Sequence, residues 1–122
     1  MGKAVIRNAK ITNTVLGREG HGIFTFEIFI EFSGCTCACG GYALDEPGYD
    51  KDNAIIRVYS KKSMEIIGKI LDVVGVDTWE ELPNKYIRIV DNGWGTSVDE
   101  IGNLMEEKWL NFREFFKDDD ND

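Results

Sequence analysis

Ten residues, IFTFEIFIEF at 23–32, constrain this chain more than any other stretch. Phe24, Phe26, Ile28, Ile30 and Phe32 occupy alternate positions. Ile23, Thr25, Glu27, Phe29 and Glu31 occupy the rest. A period of two with one strongly apolar face fits a strand that lays that face on a core and fits no helix. Any fold for this chain must therefore supply neighbouring strands.

The flanking segments supply them. KAVIRNAKITNTVLG places Val5, Ala9, Ile11 and Val15 at odd positions and reads as a second strand. The three glycines of GREGHG between the two runs read as a turn. Ser33-Gly34 is a hairpin turn into the small-residue run GCTCACGGYALD. The first 44 residues are thus expected to form a three-stranded antiparallel meander. DEPGYDKDN, residues 45–53, reads as a polar loop, and AIIRVY after it as strand-like.

Helical spacing appears only later. Met64, Ile67, Ile70, Leu71 and Val74 recur at helical intervals in KKSMEIIGKILDVV, with Ser60 as the expected N-cap and Gly75 as the C-cap. Asp77-x-x-Glu80 resembles a capping box for one turn that stops near Pro83. KYIRIV, residues 85–90, reads as a strand broken by Asp91-Asn92-Gly93. Between 97 and 110, Ser97-x-x-Glu100 followed by Val98, Ile101, Leu104 or Met105, and Trp109 favours a helix over a return strand through Val98 and Ile101. The expectation is an α+β fold: an antiparallel sheet or sandwich from the N-terminal half and one or two helices in the C-terminal half. A single domain spans 1–117, followed by an acidic, disordered tail at 118–122.

Charge narrows the partners. Acidic residues outnumber basic ones 22 to 14, for a net charge of −8. Four of the carboxylates are in the terminal DDDND, which leaves a body near −4. An acidic body repels phosphate backbones, so nucleic-acid polymers are excluded as a general partner, whereas a small anion in a locally positive pocket is not. No apolar run approaches the roughly 18 residues a membrane helix needs, and MGKAVIRNAK has no signal-peptide core. A soluble, cytoplasmic protein is expected, with no membrane partner.

Cys35, Cys37 and Cys39 share one face of an extended strand, and residues two apart are separated by roughly 6.5–7 Å along it. Thiolates on one zinc sit about 2.3 Å from the ion, so a straight C-x-C-x-C strand cannot close on it. With one histidine, an odd cysteine count and no C-x-x-C pair, no metal site, disulfide framework or cofactor is expected. The cysteines read as small buried apolar residues, beneath something bulky that packs on the strand.

No nucleophile elbow, zinc-protease motif or P-loop occurs, so no catalytic residues are assigned and the chain is read as a non-enzyme. Candidate ligand-binding residues lie in three groups. GREGHG carries Arg18 and His21 on a glycine turn. VDNGWG carries Asn92 and Trp94, an amide beside an aromatic platform suited to a base. Arg57, Arg88 and Arg113 offer guanidinium forks for phosphate. Arg7, with no turn chemistry beside it, is expected to lie away from any site.

GREGHGIFTF, the GGYALD after the small-residue strand, VGVDTWEELPNKYIRI and IGNLMEEKWLNFREFF, taken in that order over residues 15–116, resemble small phage and prophage proteins of the Thoeris anti-defence family. Those proteins act as sponges for cyclic ADP-ribose isomers made by bacterial TIR-domain enzymes. The resemblance implies a viral protein in the host cytoplasm that sequesters a cyclic nucleotide signal without cleaving it. It also implies a homo-oligomer with a β-rich core. The competing readings are a protein-binding inhibitor of a host defence factor, acting as an acidic mimic, and a structural phage accessory protein.

Overall fold

The computed structural model describes residues 4–20, 22–93 and 95–117. Eight strands and two helices follow in chain order: β1 (Val5–Glu19), β2 (Ile23–Phe32), β3 (Cys35–Ala43), β4 (Asp45–Tyr49), β5 (Ile55–Tyr59), α1 (Ser63–Val74), β6 (Tyr86–Asp91), β7 (Glu100–Gly102), β8 (Trp109–Asn111) and α2 (Phe112–Lys117). Six strands form one sheet in the order β3-β2-β1-β6-β7-β8, and every pairing in it is antiparallel. β4 and β5 form a separate two-stranded ribbon. The architecture is α+β, with the meander where the sequence places it.

The core lies on one face of the sheet. Ala9, Ile11, Phe26, Ile28, Ile30, Ile87, Ile89, Ile101 and Leu110 project from the strands, and α1 adds Ile66, Ile70 and Val73. Phe26, Ile28 and Ile30 are fully buried, as the alternation of 23–32 requires. The Ser33-Gly34 turn takes φ of 51° and 74°, the two positive values of the tight turn that matches strand twist.

Several local expectations need correction. The odd-position pattern of β1 holds only through Ile11, because the register with β2 shifts between Ile11 and Asn13. One extra residue moves the apolar parity. Thr14 and Leu16 then face Ile28 and Phe26, while Val15 stands opposite Glu27. Residues 45–49 are not a loop. They form β4, paired in register with β5 from Asp45↔Tyr59 to Tyr49↔Ile55.

Ser60 is not the cap of α1. The helix begins at Ser63 after Lys62, and the Ser63 hydroxyl donates to the Ser60 carbonyl at 2.9 Å. Met64 is exposed, and Ile66 takes the core position instead. Gly75 does end the helix, at φ 91°, with its N–H donating to the Leu71 carbonyl at 2.8 Å. The capping box sits one residue later than expected, on Thr78 and Glu81.

The largest correction concerns 97–110, which holds two short strands and no helix. Ile101 pairs with Ile89 on one side and Leu110 on the other, so a row of three buried apolar side chains outweighs the local helical spacing. Gly102 fits this arrangement and no other residue would. A Cβ there would lie 2.5 Å from the Trp109 ring, which covers the strand at that point.

Candidate functional site

The segment from Asp91 to Asp99 connects the end of β6 to the start of β7. Asp91 starts it. One carboxylate oxygen accepts the Gly93 N–H at 3.0 Å, and the other accepts Arg7 Nε at 2.6 Å. These two contacts, the backbone one first, hold the Asp91 carboxyl below the usual carboxylate range. Gly93 and Gly95 take φ of 113° and 82°, values that favour glycine, so the turn exists because both positions lack a Cβ. The Thr96 hydroxyl closes it on the Gly93 carbonyl at 2.7 Å. Val98 then buries in the core and anchors the far end.

Two cavities flank this segment. The first, about 280 Å³, lies between it and the rim of β3, and is lined by Arg7, Asp91, Cys35, Thr36, Cys37 and Thr96 among others. The second, about 270 Å³, holds Asn92, Asp99, Glu100, Asn111, Arg113 and Glu114. Arg113 reaches Asp99 at 2.6 Å, while its own side chain is 74% exposed. Asp99 also accepts the Tyr42 hydroxyl at 3.4 Å. Burial, followed by the Asp99 charge, raises the Tyr42 pKa. The two cavities hold two guanidinium groups (Arg7 and Arg113), two amides (Asn92 and Asn111) and three hydroxyls (Ser33, Thr36 and Thr96). The carboxylates of Asp91, Asp99, Glu100 and Glu114 line the same two cavities, so each guanidinium stands among acidic neighbours.

The other residues expected at a site are dispersed. Arg57 is held by the carboxylate and the carbonyl of Asp45, at 2.5 and 3.1 Å. Arg18 donates to the Tyr59 hydroxyl at 3.3 Å, beside the ribbon. Arg88 is structural. It donates to the carbonyls of Asn103 and Glu106 and to Glu107, and its guanidinium lies 4.7 Å from the Trp109 ring centre. His21 and Trp94 lie outside the described residues. The structure thus joins Asn92 with Arg113 and separates Arg18, Arg57 and Arg88 from them. Arg7, expected away from any site, lines the first cavity. No local signal marks that role, because its partner Asp91 is 84 residues away.

A larger cavity of about 420 Å³ opens between α1 and β8, lined by Lys69, Asp72, Lys108 and Trp109. Lys69 and Lys108 each face a glutamate, Glu65 at 3.9 Å and Glu106 at 3.4 Å. With Asp72 beside them, the net positive field there is small.

The cysteines form a gradient along one face of β3: Cys35 exposed, Cys37 half-buried, Cys39 buried. Cys39 donates its thiol to the Ile28 carbonyl at 3.5 Å. Burial, then its cysteine neighbour, pushes its pKa up to about 12. Burial raises Cys37 as well, followed by the Asp91 charge. Among the described residues, no group of three or more His, Cys, Asp or Glu is placed to hold a metal ion. Since the thiolate is the reactive form, a disulfide reagent at pH 8 should label Cys35 first and Cys37 slowly. Cys39 should react only after denaturant is added. Rapid labelling of all three thiols in the folded protein, counted by mass spectrometry, would contradict this order.

No protein-family model, curated protein or solved structure matches this chain.

Proposed function

We propose that this protein is a non-catalytic binder of a cyclic ADP-ribose-type nucleotide and captures it at the Asp91–Asp99 segment. One observation supports the placement: Asn92 and Arg113 line one cavity, and Arg7 lines another that is also lined by the positive-φ glycines Gly93 and Gly95. The identity of the ligand rests on the family resemblance. A pyrophosphate-linked ligand needs charge-assisted donors, which Arg7 and Arg113 supply. Each is paired with a half-buried aspartate, Arg7 with Asp91 and Arg113 with Asp99, so a bound phosphate shares these guanidinium groups with the carboxylates. Each cavity is at or below the roughly 300 Å³ lower bound of ordinary ligand pockets. The ligand therefore spans the turn. The resemblance also implies a homo-oligomer and a viral anti-defence role.

Calorimetry with a cyclic ADP-ribose isomer tests the reading. The parent binds, and heating the complex releases the ligand unaltered. Arg7→Ala and Arg113→Ala each weaken binding by about 1.5–3 kcal/mol, the scale of a hydrogen bond to a charged group. Asn92→Trp abolishes binding while the fold survives. Lys69→Ala, in the cavity between α1 and β8, binds as the parent does. Parent-like affinity in the first three variants would displace the site. A parent that binds no isomer would remove the sponge reading and favour the protein-inhibitor one.

A further inference from the structure

Asn92 differs from every other asparagine of the chain in being followed by glycine. The pair matters because a side-chain carboxamide and the next backbone nitrogen can close a five-membered ring. A side chain on the following residue ordinarily shields that nitrogen, and glycine has none.

The structure leaves this ring closure open. Asn92 is exposed, and no hydrogen bond to a described residue ties down its carboxamide. A Cβ built on Gly93 would meet nothing within 4 Å, so the space beside its nitrogen is empty. The carbonyl of Gly93 is held from the other side, accepting the Thr96 N–H at 3.2 Å and the Thr96 hydroxyl at 2.7 Å. Its N–H donates to the Asp91 carboxylate at 3.0 Å. A carboxylate on the N–H of the attacking nitrogen is a proton acceptor already in place. The N–H lies in the peptide plane, so this bond leaves both faces of the nitrogen open to the carboxamide.

We propose that Asn92-Gly93 is a self-modifying site, at which the Gly93 nitrogen displaces ammonia from the Asn92 carboxamide with Asp91 as the proton acceptor. A bond forms between Gly93 N and Asn92 Cγ. The Gly93 proton passes to Asp91 and from it to the departing nitrogen, which leaves as ammonia when its bond to Cγ breaks. Asp91 ends as it began. Water then opens the cyclic imide. Attack at Cγ breaks the new bond and gives aspartate. Attack at the Asn92 backbone carbonyl carbon breaks the original peptide bond and gives isoaspartate, with the chain routed through the former side chain.

The consequence follows from the place. Asn92 shares its cavity with Asp99, Glu100 and Glu114, and Arg113 is the one guanidinium there. Conversion puts a further negative charge among those carboxylates, and isoaspartate lengthens the backbone of the turn as well. A cavity so altered repels a phosphate-bearing ligand, which gives the capture proposed above a built-in lifetime. That last step rests on the nucleotide reading; the modification itself does not.

Peptide mapping of the full chain, aged at neutral pH both folded and in urea, reads the reaction at each asparagine. The folded parent should gain one mass unit at residue 92, with isoaspartate detected there by enzymatic methylation, while the other asparagines stay unchanged. Asp91 is positioned only by the fold, so conversion should be faster folded than in urea. Asp91→Asn keeps an oxygen for the Gly93 N–H and removes the base. It should slow the folded reaction about tenfold or more, towards the roughly 10²–10⁴-fold that a positioned general base contributes. Conversion no faster in the folded parent than in urea, or unchanged by Asp91→Asn, would overturn the proposal. Calorimetry with a cyclic ADP-ribose isomer then compares fresh with aged protein. Weaker binding by the aged protein and by Asn92→Asp supports the lifetime, and equal binding before and after conversion overturns it. Conversion at residue 92 in a parent that binds no isomer when fresh keeps the modification and removes the nucleotide reading.

Discussion

Phe112→Ala should remove about 3–5 kcal/mol of stability, the range for deleting a buried aromatic side chain. Phe112 is fully buried at the junction of β8 and α2. Its ring centre lies 5.5 Å from that of Phe26 and 6.3 Å from that of Tyr42, and Phe116 stacks on Tyr42 at 4.6 Å. Its N–H donates to the Asp99 carbonyl at 2.8 Å, so the same residue ties the end of the Asp91–Asp99 segment to the core. The cavity left by alanine cannot collapse easily, because the neighbouring rings belong to three different elements. Urea unfolding should show the loss as a lower midpoint at constant slope. A loss under about 1 kcal/mol would mean the aromatic cluster is not a packing unit.

Gly40→Ala is expected to cost about 2–5 kcal/mol, combining positive-φ strain with overpacking. Gly40 takes φ of 98°, beside a register shift where β3 carries one extra residue opposite β2. A methyl group there would lie 2.6 Å from a Phe26 ring carbon and 3.1 Å from the Phe26 carbonyl oxygen. The ring is fully buried and cannot give way, and the carbonyl is backbone. Gly41→Ala is the matched control. It shares a positive φ of 82°, but its nearest new contact is 3.8 Å from the Glu27 carboxylate. It should lose only the backbone part. Equal losses in the two variants, measured by thermal unfolding, would show that the Phe26 contact contributes nothing.

The same contact answers what the small residues of β3 are for. The run from Gly34 to Gly41 implied a bulky neighbour, and the Phe26 ring over Gly40 is one. That much was legible, as were the meander, the positive-φ turn at Ser33-Gly34 and the end of α1 at Gly75. Each depends on residues close in sequence. The errors share a different cause. Residues 100–102 form a strand because Ile89 and Leu110 flank Ile101, and Ile89 lies outside the 97–110 window while Leu110 was not among the positions of the helical spacing. Asp45 heads a strand and not a loop because Arg57 and the Phe24 N–H converge on its carboxylate.

The candidate site was partly legible for the same reason. Asn92 was found through its glycine turn, and Arg113 through its chemistry, yet nothing local distinguished Arg113 from Arg18, Arg57 or Arg88. Their partners decide that: Asp99, Tyr59, Asp45, and the 103–107 backbone. Arg7 was dismissed because its neighbours in sequence are plain strand residues. Its place beside the turn follows from the pairing of β1 with β6, which sets Val5 against Asp91 and Arg7 against Ile89.

That pairing also imposes an order in time on a growing chain. β1 meets β2 along Lys10–Glu19 and β6 along Val5–Lys10. The first contact can form as soon as the hairpin emerges. The second cannot exist until residue 91 has been made. At about 5–20 residues per second, the leading third of β1 waits on the order of 4–15 s without its neighbour. During that interval the nascent protein carries an unpaired strand segment next to a finished hairpin. The proposed ligand site is therefore among the last parts of the molecule to come into being.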